Sequence, residues 1–303
     1  MLCLTALKIG KIVVWRVTDR AIGAKMMSLS REIQRALARH PSFGYKRLTA
    51  VINRQRQKNH QAKINAKRVY RVAKQRNLLL TQKPLLPGYS KEHNGHVSVD
   101  QSNKRWCSDG LEFKCFNGEY VSMTFVLDCC DREVISFVAK KGRGLPSWMA
   151  QEQVLLAVNR RFGSVNQVPT HLQLLTDNGS AYTSQKTKQL LKALGIEDCK
   201  TAVSSPQSNG MAESFVKTLK RDYLPFIDLE NAQAALSCLP EIIERYNEEH
   251  PHSALGYLSP MEYRQKKGLT EPKTGQEEPI CLIPGYLLSQ KINRKEEHLG
   301  NIY

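Results

Sequence analysis

Negative charge is almost missing between residues 31 and 80, where fourteen lysines and arginines stand against one acid, Glu32. An ordinary solvated surface mixes both signs, so this segment is built to meet a polyanion. The imbalance is local. Residues 81–303 hold 26 bases and 26 acids, leaving +13 of the formal +17 in this segment and +4 in residues 1–30. Long apolar runs are also missing: nothing approaches the roughly 18 consecutive apolar residues of a membrane span. The opening MLCLTALKIGKIVVW is broken by Lys8 and Lys11, and no convincing small-residue cleavage site follows it. The eight cysteines form no C-x-x-C, no zinc-spaced set with histidine and no compact disulfide framework. Together these absences exclude a membrane protein and a disulfide scaffold, and they point to a reducing cytoplasm. No leucine heptad precedes residue 31, so a coiled-coil zipper is not encoded there.

What is present falls into segments. Residues 1–27 show no regular pattern. Residues 28–80 read as a basic all-α module. Ser30 can cap a helix through REIQRALARH, Pro41-Ser42-Phe43-Gly44 ends it, KRLTAVINRQ forms a second, and Asn65 caps a third in AKRVYRVAKQR. In that third helix Val69, Val72 and Ala73 face inward, leaving Lys67, Arg68, Arg71 and Lys74 for DNA, with Lys46 and Arg47 on the second. Short helices with a basic last member suit a helix-turn-helix-like DNA-binding module. Residues 81–100 read as a linker. From 101 to 268 the pattern gives an antiparallel meander (105–109, 119–128, 133–140) followed by alternating helix and strand. That is an α/β arrangement, a mixed five-stranded sheet flanked by helices, with further helices near 231–250 and 259–268. The tail 269–303 is polar.

Three acids sit where such a fold places chemistry. Asp109 closes the first strand, Asp177 in TDNGSAYTS closes the fourth, and Glu213 opens a helix with 35 residues between it and Asp177. Clustered carboxylates repel unless a cation neutralises them. Two cations about 4 Å apart stabilise the attacking and leaving oxygens of a phosphoryl displacement. Glu213, Lys217 and Lys220 fall at i, i+4 and i+7 on one helix face, so the acid can hold metal while two bases meet a DNA backbone. Asp128 and Asp131, in the short turn DCCDRE, read as structural. The loop SSPQSNG offers Ser205, Gln207 and Asn209 as further DNA contacts.

WCSD (106–109), TDNGSAYTS (176–184) and SPQSNGMAESFVKTLKRD (205–222), with INAKRVYR, LDCCDRE and HPHSALGY, resemble retroviral-type integrases and their bacterial relatives. The likeness is strongest to the OrfB transposase subunit of insertion sequences of the IS-three family, in its IS-two-like branch, and covers about residues 42–265. It implies a ribonuclease H-like core with Asp109, Asp177 and Glu213 as catalytic metal ligands. It also implies dependence on Mg²⁺ or Mn²⁺, with two ions when DNA is bound. The activity implied is cutting of element-end DNA and joining of its 3′-OH to target DNA. Lys220 takes the family's basic position seven residues after the acid. Partners implied are element-end and target DNA, an OrfA product or OrfA–OrfB fusion, and further copies of the chain on DNA, in the bacterial cytoplasm at the nucleoid. A catalytically inactive DNA-binding relic or accessory protein, or a simple metal-dependent nuclease, would share much of this sequence. A neutral residue at any of the three acids would have favoured the relic.

Overall fold

The computed structural model describes residues 4–9, 12–17, 19–80, 99–200 and 210–269, with side chains from residue 26 onward and Val165 excepted. The linker, the loop bearing Ser205, Gln207 and Asn209, and the tail lie almost wholly outside the described residues. Two compact units are present, Met1–Tyr89 with Pro251–Tyr257 and Ser90–His250 with Leu258–Tyr303.

In the first unit, β1 (Leu4–Ile9) and β2 (Ile12–Val17) form an antiparallel hairpin in which Ile9 stands opposite Ile12. Sequence patterning assigned no element here. The run IVVWRV is rich in β-branched and aromatic residues that favour strands, but six residues broken by flanking lysines give too short a period to recognise. Helix α1 (Asp19–Arg39) also begins well before the cap expected at Ser30, which is instead buried inside the helix. The preceding Ala and Met residues are good helix formers, so propensity carries the helix upstream. Then come α2 (Tyr45–Lys58) and α3 (Ala66–Gln75), the latter capped by the Asn65 side chain accepting from Lys67 N. Ile33, Phe43, Leu48, Ile52, Val69 and Val72 form the core, and Lys67, Arg68, Arg71 and Lys74 project to solvent. Glu32, the lone acid, is bound by Arg56 at 2.8 Å.

The second unit is built on a sheet in which β3 (Arg105–Lys114), β4 (Tyr120–Asp128) and β5 (Val134–Lys141) form an antiparallel meander. On the other side of β3, β6 (Gln173–Thr176) and β7 (Glu197–Lys200) run parallel to it, giving the order β5-β4-β3-β6-β7. This is the mixed five-stranded sheet that the patterning predicts and the ribonuclease H-like arrangement that the resemblance implies. Residues alternate across it. Cys107, Leu111, Met123 and Phe125 pack against α7 (Gly210–Asp222) and α8 (Ala232–Glu249). Trp106, Val126, Ile135 and Leu174 pack on the opposite face with α4 (Ser147–Phe162) and α6 (Gln185–Ala193), beside the short α5 (Ser180–Thr183). Asn247 of α8 exchanges two 2.9 Å hydrogen bonds with the backbone of Val134, continuing the ladder at the edge strand with a side chain. Among the described residues Cys107, Cys115, Cys129, Cys130, Cys199 and Cys238 are free thiols, and no helix is long and apolar enough to cross a membrane.

The turn between β4 and β5 carries a buried charge network. Asp131 receives Arg264 of α9 (Pro260–Lys266) at 2.7 Å and Arg161 at 3.3 Å, and Glu133 meets Arg161 and Arg264 at 3.0 Å each. Asp128 accepts from the backbone of Asn103 and Cys130 at 2.7 Å each. Burial alone would push the Asp131 carboxyl up, but Arg161, Ser102 and Arg264 hold it below the usual range. Asp128 and Asp131 are thus structural, as their place in a short turn suggested. Removing one partner of a buried pair strands a charge and costs about 3–5 kcal/mol. Arg264→Ala is therefore expected to lower the free energy of urea unfolding by that order, and a loss under about 1 kcal/mol would show the network to be dispensable.

Candidate active site

The sheet register brings the two aspartates together. The last residues paired between β3 and β6 are Cys107 and Leu175, in parallel. Carried two residues further, that register would set Asp109, still within β3, opposite Asp177, one residue past the end of β6, and the charge of Asp177 is felt at Asp109. Both positions fall on the face that carries Cys107 and Leu175, the face covered by α7. Asp177 follows directly on β6, but Asp109 does not close its strand. It pairs with Phe125 midway along β3, which runs on to Lys114. Gly110, next in the strand, lies in close approach to a side chain, since a Cβ there would stand 2.1 Å from Leu145 Cδ1.

The third acid comes from α7. Ala212, Phe215 and Leu219 are buried against the sheet with Tyr223 just beyond, as their spacing requires, which leaves Glu213 at the margin with its side chain 44% exposed. Each acid is held locally. Asp109 Oδ1 accepts from Gly110 N at 2.7 Å, Asp177 Oδ1 accepts from Gly179 N at 3.0 Å, and Glu213 Oε2 receives Lys217 Nζ at 3.3 Å. Burial first, then the charges of Asp177 and Glu213, push the Asp109 carboxyl up to about 6, against the Gly110 bond and the charge of Lys220. All three acids and Lys220 therefore share one electrostatic site. Among the described residues no group of three His, Cys, Asp or Glu side chains already stands close enough to hold an ion. Bare carboxylates at one site repel, and cation neutralisation is what such a donor set lacks.

Several residues here were not singled out from sequence. Lys200, at the end of β7, donates to Thr176 Oγ1 at 2.8 Å and to Tyr182 O at 3.1 Å, gripping the turn that carries Asp177. Tyr182, Ser108 and Gln153 form a buried hydrogen-bonded cluster behind the aspartates. Tyr182 and Ser108 lie inside the motifs with nothing in their spacing to set them apart, and Gln153 carries no local signal. Of the DNA-contact candidates, Lys46 is exposed, while Arg47 lies over the Phe43 ring at 5.4 Å.

Residues 99–206 and 194–260 match two family models, each described as an integrase core domain. The chain is 48% identical over 236 residues to the transposase InsD of insertion element IS2A/D/F/H/I/K of Escherichia coli, covering 78% of this chain and 77% of that one. It has the same identity, over 78% and 76%, to InsD of IS2-9 in Escherichia coli strain K12. A chain of the simian T-cell lymphotropic virus intasome in complex with PP2A regulatory subunit B56 gamma superposes with a TM-score of 0.45 and 16% identity. That match covers 75% of this chain and 78% of that one. Identity of this order across more than three quarters of both chains, with integrase-core models spanning the sheet and helices that carry the three acids, decides the matter: the chain belongs to the InsD-like transposases of the IS-three family, DDE-type polynucleotidyl transferases with an integrase core domain.

Proposed function

We propose that Asp109, Asp177 and Glu213 are the metal-binding catalytic acids with which this transposase cuts element-end DNA and joins the 3′-OH to target. The observation that carries this is the β3–β6 register, which leads Asp109 toward Asp177, with the charges of Asp177 and Glu213 felt at Asp109. The donor set fits Mg²⁺ or Mn²⁺: hard carboxylate oxygens with room for substrate phosphate. With DNA in place, two such ions would stabilise the attacking and leaving oxygens of an in-line displacement. Asp109 would hold its oxygens from within β3 and Asp177 from the turn directly after β6. To hold a cation Glu213 would give up its contact with Lys217, leaving that ammonium free for a phosphate, while Lys220 offsets charge beside Asp109. The helical module 28–80 binds DNA through Lys46, Arg47, Lys67, Arg68, Arg71 and Lys74, and residues 101–268 form the catalytic core. An OrfA product or OrfA–OrfB fusion and further copies of the chain complete the assembly on DNA, in the cytoplasm at the nucleoid.

Labelled element-end DNA with Mg²⁺ tests this. Joined product supports the transferase reading; cut product alone would make the chain a nuclease, and bound DNA alone a relic. Asp109→Asn is expected to abolish cutting and joining. Its metal-free fold should gain stability at pH 7.5, because the native carboxyl, at about 6, resists ionising more than an unfolded one at about 3.9. A raised native value contributes stability at low pH that is lost as pH rises through it. The gain should therefore shrink in urea melts at pH 4.5. Normal cutting by Asp109→Asn would remove Asp109 from the site.

A further inference from the structure

We propose that Tyr182, Ser108 and Gln153 are positioning residues that fix the separation of Asp109 and Asp177 and thereby set the affinity for divalent cation without touching it. This role presupposes that the two aspartates hold the cation. The backbone ladder between β3 and β6 ends at Cys107 and Leu175, two residues short of the acids. Beyond that point the segments are tied by side chains. Tyr182, five residues past Asp177, sets its hydroxyl 2.7 Å from Oγ of Ser108, the residue before Asp109. Gln153 of α4 donates to the same Oγ at 2.6 Å and lies 3.3 Å from the Tyr182 hydroxyl.

Alternation along β3 sends Ser108 to the α4 side of the sheet and Asp109 to the α7 side. The cluster thus acts on the backbone of Asp109 from behind and takes no carboxylate oxygen away from a metal. Ser108, Gln153 and Tyr182 are all buried, beside a layer of Trp106, Val154, Ala157 and Leu174. Apolar side chains would fill that space without desolvating three polar groups, and among the described residues Gln153 Oε1 has no partner. A polar cluster there supplies direction and distance, which apolar packing does not. Burial pushes the Tyr182 phenol well above its ordinary range, so it stays protonated and able to donate. From the other side Lys200 holds Thr176 and the Tyr182 carbonyl, and Thr187 Oγ1 donates to the Ala181 carbonyl at 2.9 Å, so the turn has anchors that survive loss of the phenol hydroxyl.

The test uses the full chain with Mn²⁺ alone, free Mn²⁺ being followed by electron paramagnetic resonance. Tyr182→Phe keeps the ring and removes the hydroxyl; Gln153→Met keeps the shape and removes the amide. Both are expected to bind Mn²⁺ about tenfold or more weakly than wild type, the scale of losing a group that orients metal ligands. Both should also need correspondingly more Mg²⁺ for half-maximal end cleavage, with metal-free DNA affinity unchanged. Asp109→Asn, run in parallel, should lose Mn²⁺ binding. Wild-type Mn²⁺ affinity in both folded variants, even with a lowered thermal midpoint, would overturn the positioning role and leave the aspartates as ligands. Wild-type affinity in Asp109→Asn would overturn the ligand assignment underneath it. Should Tyr182→Phe fail to fold, Gln153→Met decides by the same criterion.

Discussion

Glu213→Gln is expected to slow both cutting and joining by about a thousandfold or more while leaving DNA affinity intact. Glutamine keeps the size and helix propensity of glutamate, and α7 stays packed because Ala212, Phe215 and Leu219 carry its burial. What goes is the negative charge on which a cation at this position depends. Metal-ion stabilisation of a transferring phosphoryl group is worth several kcal/mol, and each 1.36 kcal/mol is about tenfold in rate. The substitution also frees Lys217, now ion-paired to Glu213 at 3.3 Å, so binding to DNA should if anything tighten slightly. Lys220→Ala leaves all three acids in place and removes one base near Asp109, so it should weaken end binding and retain some chemistry. The two variants are told apart by single-turnover cleavage at saturating DNA. A Glu213→Gln chain that turns over normally there would be an ordinary helix-surface acid.

The second large effect belongs to α3. Lys67, Arg68, Arg71 and Lys74 project to solvent while Val69, Val72 and Ala73 bury the opposite side. Replacing the four bases with glutamine therefore removes charge without touching the core. Each phosphate neutralised on duplex DNA contributes about 0.9 to the slope of log affinity against log salt. If all four meet phosphates, the slope should fall by about 3 to 4 and affinity at low salt should drop by orders of magnitude, as fluorescence anisotropy over a salt series would record. The Asn65 cap and the Arg56–Glu32 pair are untouched, so the thermal midpoint should hold. An unchanged slope would move the DNA-binding surface off α3.

The sequence by itself determined the element order of the core and the basic module, and it singled out the three candidate acids. Its signals were local ones: alternation in EYVSMTFVLD, the inward stripe of α7 through Phe215 and Leu219, and a near-absence of acid over residues 31–80. Helix starts and strand ends were less legible. α1 runs upstream of Ser30, where Leu29 is buried in the helical core, and β3 passes through Gly110 because it stays paired with β4 as far as Lys114. Tertiary structure alone decided what lies between the motifs. The parallel register that leads Asp109 toward Asp177 depends on pairing across more than sixty residues, and no local pattern specifies it. The same holds for Gln153, which reaches Ser108 from 45 residues away, for Arg264, which reaches Asp131 from 133, and for Lys200 beneath the Asp177 turn. Periodicity tells which side of an element is buried; which polar groups then meet inside, and so how rigidly the acids are held, is settled only when the elements pack and each buried donor must find an acceptor.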